Sequence, residues 1–236
     1  MGAKKFFAAL VLLVMTAGIY GLGTAPVQAS GGQVGTVDAV NGVWMRAEPN
    51  EKATKIALLK RSDKVNVISQ ENTDWYVTEF NGKEAFIPAS ALRFYKTTSQ
   101  GSVKQVTDRI ISLQRDTWKG NMSKEAVYKK MQPGFDKAYI DHYFAEHMRP
   151  DGKKNGMQMY HIKETEIYGY AISELNWNKE GNGKPTYQFY LKDGKEYLSV
   201  SQSNVNEESG NDTMTLSLQK EPGSTWKAYG INRVYK

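Results

Sequence analysis

"ENTDWYVTEFNGKEAFIPASAL", Glu71 to Leu92, sets two short strand-like runs on either side of Asn81-Gly82. An Asn-Gly pair tolerates the positive φ values of a type I′ turn, so "WYVTEF" and "EAFIPA" are expected to pair as a hairpin. Alternation puts Tyr76 and Phe80 on one face and Trp75 and Val77 on the other, and one of these sets belongs to a core. Outward from the hairpin, turn signals recur at short intervals, at Asn41-Gly42 and again at Glu48-Pro49-Asn50. "KVNVIS", Lys64 to Ser69, alternates Val65 and Val67 with polar neighbours, as a half-buried strand does. Five or six such strands in about sixty residues predict an all-β small barrel over residues 30–96.

The run "GVWMRAEPNEKATKIALLKRSDKVNVISQENTDWYVTEFNGKEAFIPASAL", residues 42–92, resembles the bacterial SH3 (SH3b) domain. The resemblance rests on Met45-Arg46, Pro49, Asp63-Lys64-Val65, Trp75-Tyr76, Asn81-Gly82-Lys83, Phe86-Ile87 and Leu92, met in order. Trp44 stands where the family carries a small polar residue, Glu48 and Ala85 replace glycines, and Thr78 replaces a valine. The resemblance implies attachment to a cell wall, with peptidoglycan peptides or glycans as ligands. In "VWMR", alternation turns Val43 and Met45 inward and leaves Trp44 and Arg46 outside. Rigid aromatic side chains suit a peptide or sugar groove because they lose little entropy on binding. The expected ligand contacts are therefore Trp44, Arg46, Trp75 and Tyr76, with Trp44 and Trp75 offered outward.

Downstream, "YKTTSQGSV" reads as a polar linker, with residues 97–102 separating two modules. Ser102 to Gln105 fits a capping box, and Val103, Val106, Ile110, Leu113 and Thr117 recur at helical spacing. "SKEAVYKKMQPG" predicts a second helix stopped by Pro133-Gly134. "FDKAYIDHYFAEHM" predicts a third, ended by Pro150-Asp151-Gly152. Beyond Gly156 the pattern turns to strands. Tyr168, Tyr170 and Ile172 alternate, then Leu175 and Trp177 take the opposite register, which predicts a bulge near Ser173-Glu174. Further strands are expected around Tyr187 to Leu191, Leu198 to Val200 and Met214 to Leu218, with turns at Asp193-Gly194 and Pro222-Gly223. Three helices followed by a curved antiparallel sheet make an α+β domain over residues 103–236. "FDKAYIDHYF" and "TMTLSLQKEPGSTWKAYGINRVY", in that order, resemble the NTF2-like (cystatin-like) superfamily, which implies helices packed in the concave side of a bent sheet.

The chain has 236 residues, a formal net charge of +6 and no cysteine. Lys4 and Lys5, an apolar run from Phe6 to Gly23 and small residues ending in Val27-Gln28-Ala29 read as a secretory signal peptide, residues 1–29, cleaved after Ala29. The rival is an uncleaved anchor, at the short limit for crossing a bilayer. Removing Lys4 and Lys5 lowers the charge to +4. That excess suits an anionic wall polymer, and no run of basic residues argues for nucleic acid. The missing cysteine excludes disulfides, a lipoprotein anchor and a cysteine nucleophile.

Catalytic patterns are absent. His142 and His147 lie five residues apart, about 140° around a helix, rather than the one turn that metal ligation needs. With His161 they make a weak metal candidate. The competing reading makes His147 part of an apolar stripe and places Asp141, His142 and Glu146 on a solvated face. No G-x-S-x-G occurs, and "SVKQ" and "SKEA" are helix caps. Glu164, Glu166 and Glu174 are read as strand residues on solvent rather than a hydrolytic pair. Gly181 and Gly183 form a turn. No cofactor, metal ligand or catalytic residue is expected. The expected protein is secreted, non-catalytic and wall-associated: the SH3b module binds peptidoglycan or another anionic wall polymer, and the second module binds a wall enzyme or small ligand. The alternative is a peptidoglycan hydrolase with an unfamiliar active site in the second module.

Overall fold

The computed structural model of the chain describes residues 32–163, 169–180, 183–204 and 211–235. The signal-like segment, Glu164, Glu166, Tyr168 and Gly181 lie outside the described residues. Eight short strands come first: β1 Gln33–Val37, β2 Val43–Arg46, β3 Lys55–Leu59, β4 Lys64–Val67, β5 Ser69–Gln70, β6 Trp75–Phe80, β7 Lys83–Pro88 and β8 Leu92–Lys96. The central hairpin forms as its sequence dictates. Phe80 pairs with Lys83, and Asn81 and Gly82 take φ of 52° and 74°, both in the left-handed region that an Asn-Gly pair accepts. Val65 and Val67 are buried and their neighbours Lys64 and Asn66 exposed, so the alternation of β4 holds.

These strands do not close into the expected barrel. One sheet has the order β3-β2-β7-β6-β5, whereas β4, β1 and β8 belong to another. The second sheet continues through β8 into β12 Thr186–Lys192, β13 Lys195–Asn204, β14 Asp212–Lys220 and β15 Lys227–Tyr235, giving seven strands in the order β15-β14-β13-β12-β8-β1-β4. Tyr95 pairs with Tyr190, and Leu191 with Phe94. An open strand edge leaves backbone donors and acceptors unpaired, and β12 supplies partners for those of β8 from far along the chain. Short-range turn spacing carries no sign of such a pairing.

Between β8 and β12 lie α1 Gln100–Arg115, β9 Met122–Ser123, α2 Lys124–Met131, α3 Lys137–His147, β10 Met148–Lys154 and β11 Met157–Ile162. Three helices followed by antiparallel strands match the expected order, but the details differ. The cap of α1 is Ser99, whose hydroxyl accepts from the Ser102 amide at 3.1 Å, so the helix starts a turn before the expected Ser102 box. Pro150-Asp151-Gly152 does not simply end α3. It lies within β10, whose register shifts between Pro150 and Lys153.

No strand forms over residues 169–180, where alternation predicted a strand bulged near Ser173-Glu174. The apolar side chains there are nevertheless buried: Ala171, Ile172, Leu175 and Trp177 all join the core. Side chains from other elements take the place of a strand partner. Gln114 accepts from the Ile172 amide at 3.0 Å and donates to its carbonyl at 3.3 Å. Glu146 accepts from the Tyr170 amide, and Gln202 bonds both the amide and the carbonyl of Asn176. Buried backbone groups need partners, and amide and carboxylate side chains meet that need as well as a neighbouring strand does.

Two larger hydrophobic clusters flank the seam. One joins Val37, Val65, Val67, Ile87, Leu92 and Phe94, and the other packs the three helices against Leu198, Val200, Met214, Leu216 and Leu218. Each of these fully buried aliphatic side chains contributes roughly 1.5–3 kcal/mol. Along β12, Leu191 packs on the first cluster and Phe189, two residues away on the same face, on the second. The sheet is continuous while the two interiors are distinct. Phe135, Tyr139 and Tyr143, none more than 1% exposed, fill the space between helices and sheet, and a recess of about 130 Å³ beside Phe189 and Trp226 remains at its edge.

Candidate ligand-binding groove

A groove of about 770 Å³ opens where the hairpin sheet meets the second half of the chain. Trp75 and Tyr76, at the start of β6, line it together with Pro88 at the end of β7. The turn before β6 is shaped by Asn72, whose side chain accepts from the Asp74 amide at 2.9 Å. The Ala89 amide in turn donates to the Asp74 carbonyl at 2.8 Å, tying that turn to the short helical stretch Ala89–Ala91. Glu51 enters from the loop between β2 and β3, which Arg46 braces by donating to the Ala53 carbonyl at 3.0 Å. The remaining wall comes from the β12–β13 hairpin, where Asp193 and Gly194 take φ of 49° and 70°.

The electrostatics of the groove are one-sided. Glu51, Asp74 and Asp193 line it, and among the described residues no lysine or arginine does. Burial pushes the Tyr76 phenol above its ordinary pKa, and the Asp193 carboxylate adds to that shift, so the second half of the chain is felt at this ring. Tyr76 also packs edge-on to Phe94 at 5.2 Å between centroids.

The four expected contacts fall in two places. Trp75 and Tyr76 line the groove, but Trp44 and Arg46 do not. Trp44 is 37% exposed, with the Lys55 ammonium 5.1 Å from its ring centroid, and Arg46 is a loop brace. Trp75 is not offered outward. At 7% exposure it packs with Val77 and Phe86 as a small cluster, and it lines the groove with the little surface that stays uncovered. Alternation correctly separated the two faces of β6; it could not say that both faces are covered, one by this cluster and the other by the Phe94 cluster. Sequence reasoning missed Asp193 and Gly194 as groove residues. The only signal there was a hairpin turn, and nothing local tells which surface a turn will meet.

Comparison with known proteins bears on this region alone. Residues 41–93 match the bacterial SH3 domain family. The match covers the hairpin sheet and both SH3-side loops of the groove and ends within β8. Bacterial SH3 domains commonly bind cell-wall components, such as peptidoglycan. No curated protein and no solved structure matches the chain.

The three histidines do not converge. His147 is buried, His142 stacks on Tyr170 at 4.8 Å, and His161 lies 3.6 Å from Asp151. Among the described residues no group of three or more histidine, aspartate or glutamate side chains is placed to hold a metal ion. Asp141 is tied to Lys137 and Tyr128, and Glu146 to the Tyr170 amide, so these two acids hold the fold together. Glu174 pairs with Arg115 on the surface. Among the described residues no helix is long and apolar enough to cross a membrane.

Proposed function

We propose that the protein is a secreted, non-catalytic, cell-wall-associated binding protein whose SH3 domain holds peptidoglycan peptides in the groove beside Trp75 and Tyr76. The observation that carries this reading is the groove itself, built from the loops of an SH3 domain and lined by aromatic rings and three carboxylates. Carboxylates without a lining cation favour a ligand that brings its own positive charge, and the amino groups of a peptide do so. The basic, apolar and small-residue order of residues 1–29 supports export. The second half of the chain, whose helix-then-sheet order supports an NTF2-like reading, closes the groove with Asp193 and binds a partner or ligand of its own.

The test is retention of the full chain on purified peptidoglycan. Ser90 is exposed in the groove and touches neither core, so Ser90→Trp fills the groove without disturbing the fold. Retention should fall at least tenfold in that variant. Asp193→Asn, which keeps the left-handed backbone, should lower it by a few-fold. Wild-type retention of Ser90→Trp removes the groove from the account, and clearing of a wall suspension by the chain removes the non-catalytic reading.

A further inference from the structure

The seven-stranded sheet turns one face to the two cores, and its register fixes what the other face carries. Residues directly paired in antiparallel strands share a face. Lys64 pairs with Thr36, and Thr36 pairs with Arg93. Tyr95, two residues along from Arg93, pairs with Tyr190, and Tyr190 with Tyr197. Tyr197 pairs with Gln219, and Gln219 with Lys227; one step along the hairpin, Lys192 pairs with Lys195. Cations from five strands therefore point to one side, although they lie far apart in the sequence and form no basic run. The strand residues on that side include no carboxylate. Asp38 and Glu221, just beyond strand ends, engage Arg93, Lys192 and Lys195, which leaves the face positive overall.

The rings on this face form a connected row. Tyr95 and Tyr190 meet edge-on at 5.7 Å, Tyr190 and Tyr197 stack at 5.2 Å and 9°, and Tyr229 reaches Tyr197 at 6.2 Å. Arg93 lies 4.6 Å over Tyr190, and Lys64 lies 5.7 Å from Tyr95. From β8 to β15 the row crosses four strand spacings, roughly 19 Å. Its two ends are open, with Tyr95 44% and Tyr229 37% exposed. Ser199, Ser217 and Gln219 lie between the rings on the same side.

We infer that this face binds an acidic polysaccharide, with sugar rings laid on the exposed rings of Tyr95 and Tyr229 at the two ends of the row, which the buried Tyr190 links, and carboxylate or phosphate groups on the cations. Flat aromatic faces suit the C–H faces of sugars, and the flanking hydroxyl and amide groups suit sugar hydroxyls. Charge complementarity selects an acidic chain over a neutral one. The site is separate from the SH3 groove, whose lining is acidic and would repel such a ligand.

Binding of the full chain to polygalacturonate, to dextran and to phosphatidylglycerol vesicles tests the inference. Polygalacturonate should bind, more weakly as salt is raised. Lys64→Gln with Lys227→Gln should weaken that binding at least tenfold, and Tyr95→Ala with Tyr229→Ala by a comparable factor. All four positions lie outside the core clusters, and circular dichroism checks that the fold persists. Ser90→Trp, which blocks the groove, should leave polygalacturonate binding unchanged, so failure at one site is distinguishable from failure at the other. Equal binding of dextran, equal capture by vesicles, or tyrosine variants that bind as the unaltered chain does would each overturn the inference.

Discussion

His147 shows how burial decides the state of a single residue. It sits at the end of α3, 3% exposed, with its ring 5.2 Å from that of Tyr143. Burial holds its pKa below the usual histidine value; Glu146 opposes that shift, while Arg149, Arg233 and Lys163 reinforce it. The folded protein therefore carries His147 neutral near pH 7, whereas the unfolded chain protonates it around pH 6.5. The sign follows from proton counting. Below about pH 6.5 the unfolded state binds more protons, so stability is complete above that pH and declines as pH falls toward the folded-state pKa. The urea midpoint should drop between pH 7.5 and pH 5, and His147→Gln should shrink that drop. An equal drop in the variant would assign it to another group. Periodicity made this residue legible, because His147 completes the apolar stripe of Tyr139, Ile140, Tyr143 and Phe144. The same kind of pattern failed at Trp75, since alternation separates two faces without saying whether a second cluster covers each of them.

At the scale of elements, local signals decided most boundaries and missed those that depend on distant partners. The cap of α2 is Ser123, where the sequence places it, and that of α3 is Asp136, which the sequence reading did not single out; each accepts from an amide three residues on. The start of α1 separates two candidate serines. Ser99 accepts the Ser102 amide, whereas Ser102 bonds Ser99 through its hydroxyl. Ser99→Ala should therefore cost about 1 kcal/mol of stability and Ser102→Ala distinctly less. Thermal or urea unfolding of the two variants checks the order, and a larger loss in Ser102→Ala would restore the later cap. Residues 169–180 were illegible for a different reason. Their apolar alternation is a burial signal, and burial does not specify whether backbone partners come from a strand or from Gln114, Glu146 and Gln202.

Across the whole molecule, the continuous sheet raises the question of what holds its two interiors together. Backbone pairing of β8 with β12 is one link, and Asp38 is another. Its carboxylate meets Arg93 of β8 at 2.5 Å and Lys192 of β12 at 2.9 Å, so one acid from the first half bridges both strands of the seam. Burial alone would raise the pKa of Asp38, but hydrogen bonds from Lys192 and Arg93 hold it below the usual carboxylate range. Its contribution is therefore complete above about pH 4 and is lost only as acid protonates it below that. Asp38→Ala removes the shared acceptor and leaves two partly covered cations facing each other, a loss of roughly 1–2 kcal/mol. That loss should be local. Amide hydrogen exchange at Phe94 to Lys96 and at Phe189 to Leu191 should quicken about tenfold in the variant, while Val200 and Leu216, deep in the second core, keep their wild-type rates. Uniform acceleration everywhere would mean that the two halves open as one unit. Unchanged exchange at the seam would mean that strand pairing holds the halves together without help from Asp38.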